Sequence, residues 1–213
     1  MAKIVLLSAS IRQGRNSHRV ALYFKNYIES NQLADVEMVD LDIYDFPLFE
    51  ERLRFLKNPS EKILDFAAKI REAEGVLLVT PEYNGGYPAS LKNVIDLLYD
   101  EWRKKPIALA TASAGNFGGA QVMTSLVFSL WKIGSILVPA MFPVAKVQEA
   151  FNEQGEPLDK AQTDKRAHTF VSELLWFIEA KKECITKEAE NINRLLQGKI
   201  NFACYKQARF YCY

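Results

Sequence analysis

The chain has 213 residues, 49% of them hydrophobic, which suits one domain of ordinary size with a substantial core. A formal net charge of +1 argues against nucleic acid or acidic membranes as partners, and no apolar run approaches the roughly 20 residues of a membrane-spanning helix. The apolar run at the N-terminus is too short for a secretory signal, so we expect no signal peptide and a cytoplasmic location. The three cysteines lie near the C-terminus without metal-ligand spacing, so we expect free thiols and no bound metal.

Apolar runs alternate with amphipathic stretches along the chain. Short runs with little polar character predict strands buried on both faces, over 3–9, 36–41, 75–80, 106–112 and 135–145. Apolar residues at helical spacing predict helices over 17–31, 60–73, 89–100, 119–134 and 159–185. Ser17 and Ser60 are the expected N-caps of the first two helices. Strict alternation of strand and helix predicts an α/β fold, a doubly wound, five-stranded parallel sheet with helices on both faces.

Ligands bind such sheets beyond the carboxyl ends of the strands, so the loops after the first, third and fourth strands draw attention. The first loop, 8–17, reads SASIRQGRNS and carries several hydroxyls and Arg12 before a helix begins. Free backbone N–H groups and the helix dipole favour an anion there, which predicts a phosphate site. The same residues also suit a polar loop that caps a helix. The loop contains neither the P-loop pattern nor the dinucleotide pattern G-x-G-x-x-G.

The second loop, 80–93, reads TPEYNGGYPASLKN. Gly85 and Gly86 let a backbone approach a flat ligand and adopt positive φ angles. Tyr83 offers an aromatic face, and the amide of Asn84 offers a donor and an acceptor to the edge of a heterocycle. These features predict a contact with a planar ring, while the alternative is a glycine turn whose tyrosines lie on the surface.

The third loop, 113–121, reads SAGNFGGAQ and places three glycines between a strand and a helix. Its backbone N–H groups are expected to be free to bind the oxygens of a ring system. On its own, a glycine-rich turn is weak evidence for a binding site. Together, the three loops predict one pocket with a phosphate end and a planar end, which fits a mononucleotide with a large ring.

The motifs SASIRQGRNS, PEYNGGYPASLKN followed by VIDLL, and KPIALATASAGNFGGAQ resemble the signature loops of the NAD(P)H-dependent FMN reductase family of flavodoxin-like proteins. The segment LDIYDFPLFEERL, residues 41–53, is also similar to that family. The resemblance covers roughly residues 3–180, and PEYN…P…LKN is its most specific part. It implies the strand order 2-1-3-4-5 within a flavodoxin-like FMN-binding domain, 1–185. A C-terminal extension, 186–213, is expected to be partly helical and then disordered.

The resemblance also implies an activity. Members hold FMN non-covalently, use NADPH or NADH as co-substrate and form homodimers or homotetramers. They reduce a small-molecule electron acceptor, such as a flavin, a quinone, an azo or nitro compound, or chromate. The flavin carries the hydride chemistry, so no side chain is expected to act as a catalytic acid, base or nucleophile.

Specific positions follow from the same resemblance. It assigns the FMN phosphate to Ser10, Arg12, Asn16 and Ser17. It assigns the isoalloxazine ring to Pro81, Glu82, Tyr83 and Asn84. It assigns the pyrimidine side of that ring to Ser113, Gly115, Asn116 and Gly118. The chain departs from the family at Ala9, where many members have glycine, and at Asn116, where many have a bulkier basic residue.

Two other functions remain open. A flavin-binding electron carrier or redox sensor would bind FMN without turning over small molecules, but such carriers are usually strongly acidic and this chain is not. A scaffold that has lost the flavin would be expected to lose Arg12 and the loop glycines, and this chain keeps them. The segment after Gly198 lacks a helical period, and we expect it to lie outside the fold.

Overall fold

The computed structural model describes residues 1–196. It contains one parallel sheet with the order β2-β1-β3-β4-β5, as predicted. The strands are β1 Lys3–Ser8, β2 Asp35–Asp40, β3 Gly75–Pro81, β4 Pro106–Ala112 and β5 Ile136–Val144. Strands β3 and β4 are buried along their whole length, which explains why they appear in the sequence as continuous apolar runs. The segment after Gly198, which we expect to lie outside the fold and to be disordered, falls outside the described residues.

The helices are α1 Ser17–Ser30, α2 Leu41–Tyr44, α3 Glu61–Glu72, α4 Ala89–Leu97, α5 Ala120–Lys132, α6 Val147–Ala150 and α7 Lys160–Leu196. A short 3₁₀ helix covers Leu53–Phe55. All predicted helices are found, although α4 ends earlier than the predicted residue 100 and α7 continues past residue 185. The short elements α2, α6 and the 3₁₀ helix were not predicted, because each is too short to display a helical period.

The two predicted N-caps have different outcomes. Ser60 caps α3, with its hydroxyl accepting a hydrogen bond from the Ile63 N–H at 3.4 Å. The prediction for Ser17 is wrong, because Asn16 occupies the cap position and Ser17 is the first helical residue. This shift of one position turns the Ser17 side chain inward, where it is 3% exposed.

Contacts between residues divide the chain into two compact units, 1–175 and from 176 onward, and the boundary falls inside α7. The predicted domain boundary at 185/186 stays a prediction. In the first unit, a core cluster joins the sheet to α3, α4 and α5 and includes Phe66, Leu78, Trp102 and Leu109. Within residues 1–196, no helix combines the length and the apolar character needed to cross a bilayer.

The sheet places the predicted site. The chain winds from β1 outward to β2, and then from β3 through β4 to β5 on the other side of β1. The strand order therefore reverses between β1 and β3, which is where open α/β sheets bind their ligands. We call the segments that leave β1, β3 and β4 loop 1 (residues 9–16), loop 2 (82–88) and loop 3 (113–119). All lie at the carboxyl edge of the sheet.

Candidate functional site

Loops 1 and 2 are joined directly. The Ser10 hydroxyl, fully buried, lies 2.8 Å from the Tyr83 hydroxyl. The Ser90 hydroxyl, at the start of α4, donates to the Ala9 carbonyl at 2.6 Å. Ser10 and Tyr83 were both predicted as site residues, and the fold brings them together. Ser90 was not singled out, because a serine in the first turn of a helix is common and carries no specific signal.

The side chain of Ser17 lies in a place where its hydroxyl finds no hydrogen-bond partner among residues 1–196. The hydroxyl is also buried. Such a group costs about 1–3 kcal/mol when it is left unpaired. The N–H groups of Asn16 and Ser17 likewise make no hydrogen bond within residues 1–196. This hydroxyl and these N–H groups lie at the start of α1, where the helix dipole favours an anion.

Arg12 supplies a free cation in the same loop. Its guanidinium is exposed and pairs with no carboxylate of the part of the chain that the structure describes. Its backbone N–H donates to the Ser10 hydroxyl at 3.3 Å, which fixes the turn that carries it. The predicted phosphate residues Ser10, Arg12, Asn16 and Ser17 thus lie together in loop 1 and the first residue of α1.

Arg15, the second arginine of loop 1, is placed differently. Its side chain is only 16% exposed, and both of its terminal nitrogens bind the carboxylate of Asp40, with 2.6 Å between Nη2 and Oδ2. Nη1 also donates to the Ser10 carbonyl at 2.8 Å, and Nη2 lies 3.3 Å from Asp42 Oδ2. Burial opposes the positive charge, but the contacts with Asp40 and Asp42 outweigh it, so the pKa of Arg15 is raised.

Asp40, the last residue of β2, contacts Asp42 and His18 as well as Arg15. Its carboxylate accepts a hydrogen bond from the Asp42 N–H at 3.2 Å and so caps α2. His18 Nδ1 lies 3.7 Å from Asp40 Oδ2 and 3.1 Å from the Ser8 hydroxyl. Burial, followed by the charge of Arg15, lowers the pKa of His18, which favours a neutral imidazole behind loop 1. Asp40 and His18 were not predicted as members of this group.

Loop 2 is a tight turn. Tyr83 and Gly86 exchange two backbone hydrogen bonds, of 2.8 and 3.0 Å. The central residues Asn84 and Gly85 have φ angles of 53° and 77°, as in a type I′ turn. The sequence pointed to the pair Gly85–Gly86, but the positive angles fall one residue earlier. A Cβ on Gly85 would lie 2.9 Å from Gln121 Oε1, so this glycine also allows loop 2 to lie against α5.

The Glu82 carboxylate binds the start of α5. Glu82 Oε2 accepts hydrogen bonds from the N–H groups of Gln121 and Val122, at 3.0 and 3.1 Å. It therefore satisfies donors that open a helix and complements the helix dipole. The resemblance places Glu82 against the flavin ring. Because its carboxylate is bound to α5, its backbone is left for that contact, which stays a prediction.

Loop 3 is held by hydrogen bonds from the backbone at the start of α6. The Ser113 carbonyl accepts from the Val147 N–H at 3.1 Å, and the Gly115 carbonyl from the Lys146 N–H at 3.0 Å. Gly118 is buried, its carbonyl accepts from the Thr111 hydroxyl at 2.6 Å, and a Cβ there would lie 3.0 Å from Pro143 Cβ. Gly115 is exposed, and no atom lies within 4 Å of the position of its missing Cβ. Of the predicted loop 3 residues, Gly115 and the exposed Asn116 are therefore open to a ligand, whereas Gly118 packs the loop.

Comparison with known proteins agrees with this geometry. The sequence profile of the family described as NADPH-dependent FMN reductase matches residues 2–149. The NAD(P)H-dependent FMN reductase ntnL of Nectria sp is 28% identical over 210 residues, covering 92% of this chain and 98% of that protein. The NADPH azoreductase of Bacillus sp. (strain OY1-2) is 28% identical over 184 residues, covering 85% of this chain and 95% of that protein.

Among solved structures, FerB, a flavoenzyme NAD(P)H:(acceptor) oxidoreductase from Paracoccus denitrificans, shares the fold. Its TM-score is 0.69 at 24% identity, over 84% of this chain and 98% of that one. The family match includes all five strands and the three loops at the carboxyl edge of the sheet. The chain therefore belongs to the NADPH-dependent FMN reductase family, binds FMN and is a flavin-dependent NAD(P)H oxidoreductase.

Proposed function

We propose that this oxidoreductase reduces a small-molecule acceptor, such as a free flavin, a quinone, an azo or nitro compound, or chromate. In this proposal, loop 1 binds the FMN phosphate while loops 2 and 3 bind the ring. The observation that carries it is the buried Ser17 hydroxyl at the start of α1, which has no hydrogen-bond partner within residues 1–196. A phosphate dianion would accept hydrogen bonds from that hydroxyl and from the free N–H groups beside it. The exposed guanidinium of Arg12 would complete the phosphate site.

Bound FMN supplies the hydride chemistry, and the protein supplies position and electrostatics. Loop 3 offers the exposed backbone at Gly115 and the exposed amide of Asn116 to the ring edge. Two charged groups beside the pocket are already paired, Glu82 with the start of α5 and Arg15 with Asp40. These pairings support a role in holding the loops rather than in proton transfer.

The test of this proposal is spectroscopic and then kinetic. We expect the purified protein to carry visible flavin absorbance that NADPH or NADH bleaches without air. We then expect steady turnover with quinone, azo dye or free FMN and no protein partner. A protein that is bleached but turns over none of these acceptors would instead be an electron carrier or redox sensor.

Replacing Arg12 with alanine should weaken FMN binding without unfolding the protein. A charge-assisted contact with phosphate is worth roughly 1.5–3 kcal/mol, so affinity should fall by about one to two orders of magnitude. Titration of the FMN-free protein with FMN measures the change. Arg19→Ala is the matched control, because Arg19 donates to the Phe151 carbonyl at 2.9 Å and lies outside loop 1. Equal affinities of the Arg12 variant and the wild type would remove Arg12 from the site.

We further propose a homodimer or homotetramer. Helix α5 exposes Phe128 and Trp131 side by side, 63% and 61% accessible, with 5.9 Å between ring centroids. Exposed aromatic pairs of this kind are unusual on a monomer and common at subunit contacts. Light scattering should report a dimer or tetramer for the wild type and a smaller species for a Phe128→Ser, Trp131→Ser double variant. A monomeric wild type that is active when dilute would contradict this proposal.

A further inference from the structure

We propose that Arg15 is a positioning residue, which holds loop 1 in its phosphate-binding shape through Asp40 and does not itself bind the phosphate. This inference rests on the proposed FMN phosphate site in loop 1. The loop contains two arginines with opposite surroundings. Arg12 is exposed and unpaired within the described residues, whereas Arg15 is largely buried against a carboxylate that is only 7% exposed.

The hydrogen-bonding capacity of Arg15 is already used. A guanidinium has five N–H donors, two on each terminal nitrogen and one on Nε. The two donors of Nη1 bind Asp40 Oδ1 and the Ser10 carbonyl. The two of Nη2 point to Asp40 Oδ2 and to Asp42 Oδ2. Only the Nε donor remains. Arg15 therefore lacks the two parallel N–H donors that a bidentate contact with phosphate requires. Two carboxylates also compensate its charge.

The same contacts fix the backbone of loop 1. The bond from Arg15 to the Ser10 carbonyl, 2.8 Å long, sets the direction of the peptide unit between Ser10 and Ile11. Because that unit is planar and trans, the Ile11 N–H points the opposite way. That N–H makes no hydrogen bond within residues 1–196. Arg15 therefore orients a free backbone donor in the loop that we assign to the phosphate.

The anchor of this arrangement lies on another strand. Asp40 ends β2, which pairs with β1 in parallel, so the sheet fixes the backbone that carries this carboxylate. Its Oδ1 also caps α2 through the Asp42 N–H at 3.2 Å. Loop 1 is thus tied to the edge strand of the sheet, and its shape should depend on Asp40 even though Asp40 is not expected to touch the ligand.

The test compares FMN with riboflavin, which has the same ring and no phosphate. Dissociation constants for both are measured on FMN-free protein for the wild type, Arg15→Gln, Asp40→Asn and the double variant. We expect the preference for FMN over riboflavin to fall roughly tenfold in each single variant, with riboflavin affinity unchanged. Because the two residues act as one unit, the double variant should lose no more than either single variant.

Asp40→Asn separates a positioning role from a ligand role. If Arg15 bound the phosphate, releasing it from Asp40 would leave the FMN preference unchanged or raise it, and either result overturns the proposal. Asp42→Asn is the control, because Asp42 is half exposed and makes the longer contact; it should keep the preference close to that of the wild type.

Arg15→Lys covers the case in which Asp40→Asn does not fold. Lysine keeps the charge but cannot bind Asp40 and Ser10 together, so a positioning role predicts the same loss of preference. A preference equal to that of the wild type in Arg15→Lys would overturn the proposal. A wild type with no preference for FMN would overturn both this inference and the proposed phosphate site. A preference retained in every variant would overturn only the role of Arg15.

Discussion

Replacing Ser17 with alanine is expected to stabilise the FMN-free protein and to weaken its binding of FMN. The hydroxyl is buried without a partner among residues 1–196, so its removal relieves part of a penalty of about 1–3 kcal/mol. For a domain of this size, a gain of about 1 kcal/mol raises the melting temperature by roughly 2–4 °C. The same hydroxyl would donate to the phosphate when FMN is bound, and FMN affinity should fall by about tenfold or more.

Calorimetry on FMN-free protein and titration with FMN measure the two effects. Ser135→Ala is the matched control, since the Ser135 hydroxyl is also buried but donates to the Trp102 carbonyl at 3.1 Å. This variant should lower the melting temperature and leave FMN affinity unchanged. A lower melting temperature for Ser17→Ala would mean that the hydroxyl is satisfied in the FMN-free protein, which would remove the main support for the phosphate site.

Replacing Gly155 with alanine is expected to cause a large loss of stability. Gly155 has a φ of 81°, and a Cβ there would lie 2.7 Å from the Arg19 carbonyl oxygen, from Leu22 Cβ and from the Tyr23 nitrogen. The left-handed conformation costs about 1–2 kcal/mol for a residue with a Cβ. The overlap with α1 adds about 1–3 kcal/mol, because the contacted backbone cannot move aside as a side chain tip would.

Urea unfolding should therefore show a free energy of unfolding lower by about 2–5 kcal/mol in Gly155→Ala. Gly134→Ala is a close control, since Gly134 has a φ of 82° and its nearest contact for a Cβ is Arg103 Cγ at 3.5 Å. Gly134→Ala should lower the free energy of unfolding only by the roughly 1–2 kcal/mol that the left-handed conformation costs. Similar losses in the two variants would mean that the turn at Gly155 moves away from α1.

The sheet and its loops were predictable because their signals are local. Buried strands such as β3 are continuous apolar runs, and the turn at Asn84–Gly85 is a short-range pattern that the sequence locates to within one residue. The alternation of strand and helix then constrains the topology, because parallel strands need crossover connections. The carboxyl edge of the sheet follows as the place to look for a ligand.

The remaining features depend on contacts that no local pattern encodes. Arg15 and Asp40 are 25 positions apart and meet only because β1 and β2 pair. Among the described residues, Arg12 pairs with no carboxylate whereas Arg15 binds Asp40, although the two arginines look alike in the sequence. Ser17 shows the sensitivity of such predictions. The cap falls on Asn16 instead of Ser17, and the Ser17 hydroxyl is buried without a partner among residues 1–196.

The bond between Glu82 and helix α5 bears on how this enzyme could be re-engineered. Loop 2 supplies the carboxylate that closes the first turn of the helix after loop 3, so the two segments form one module despite being 39 positions apart. A loop 2 transplanted from a relative with another acceptor preference would carry over its own residue at position 82. Unless that residue is acidic, the graft would open the start of α5 and disturb loop 3 as well. Acceptor specificity should therefore be exchanged by transferring both loops together, or by keeping Glu82 fixed while the rest of loop 2 is varied.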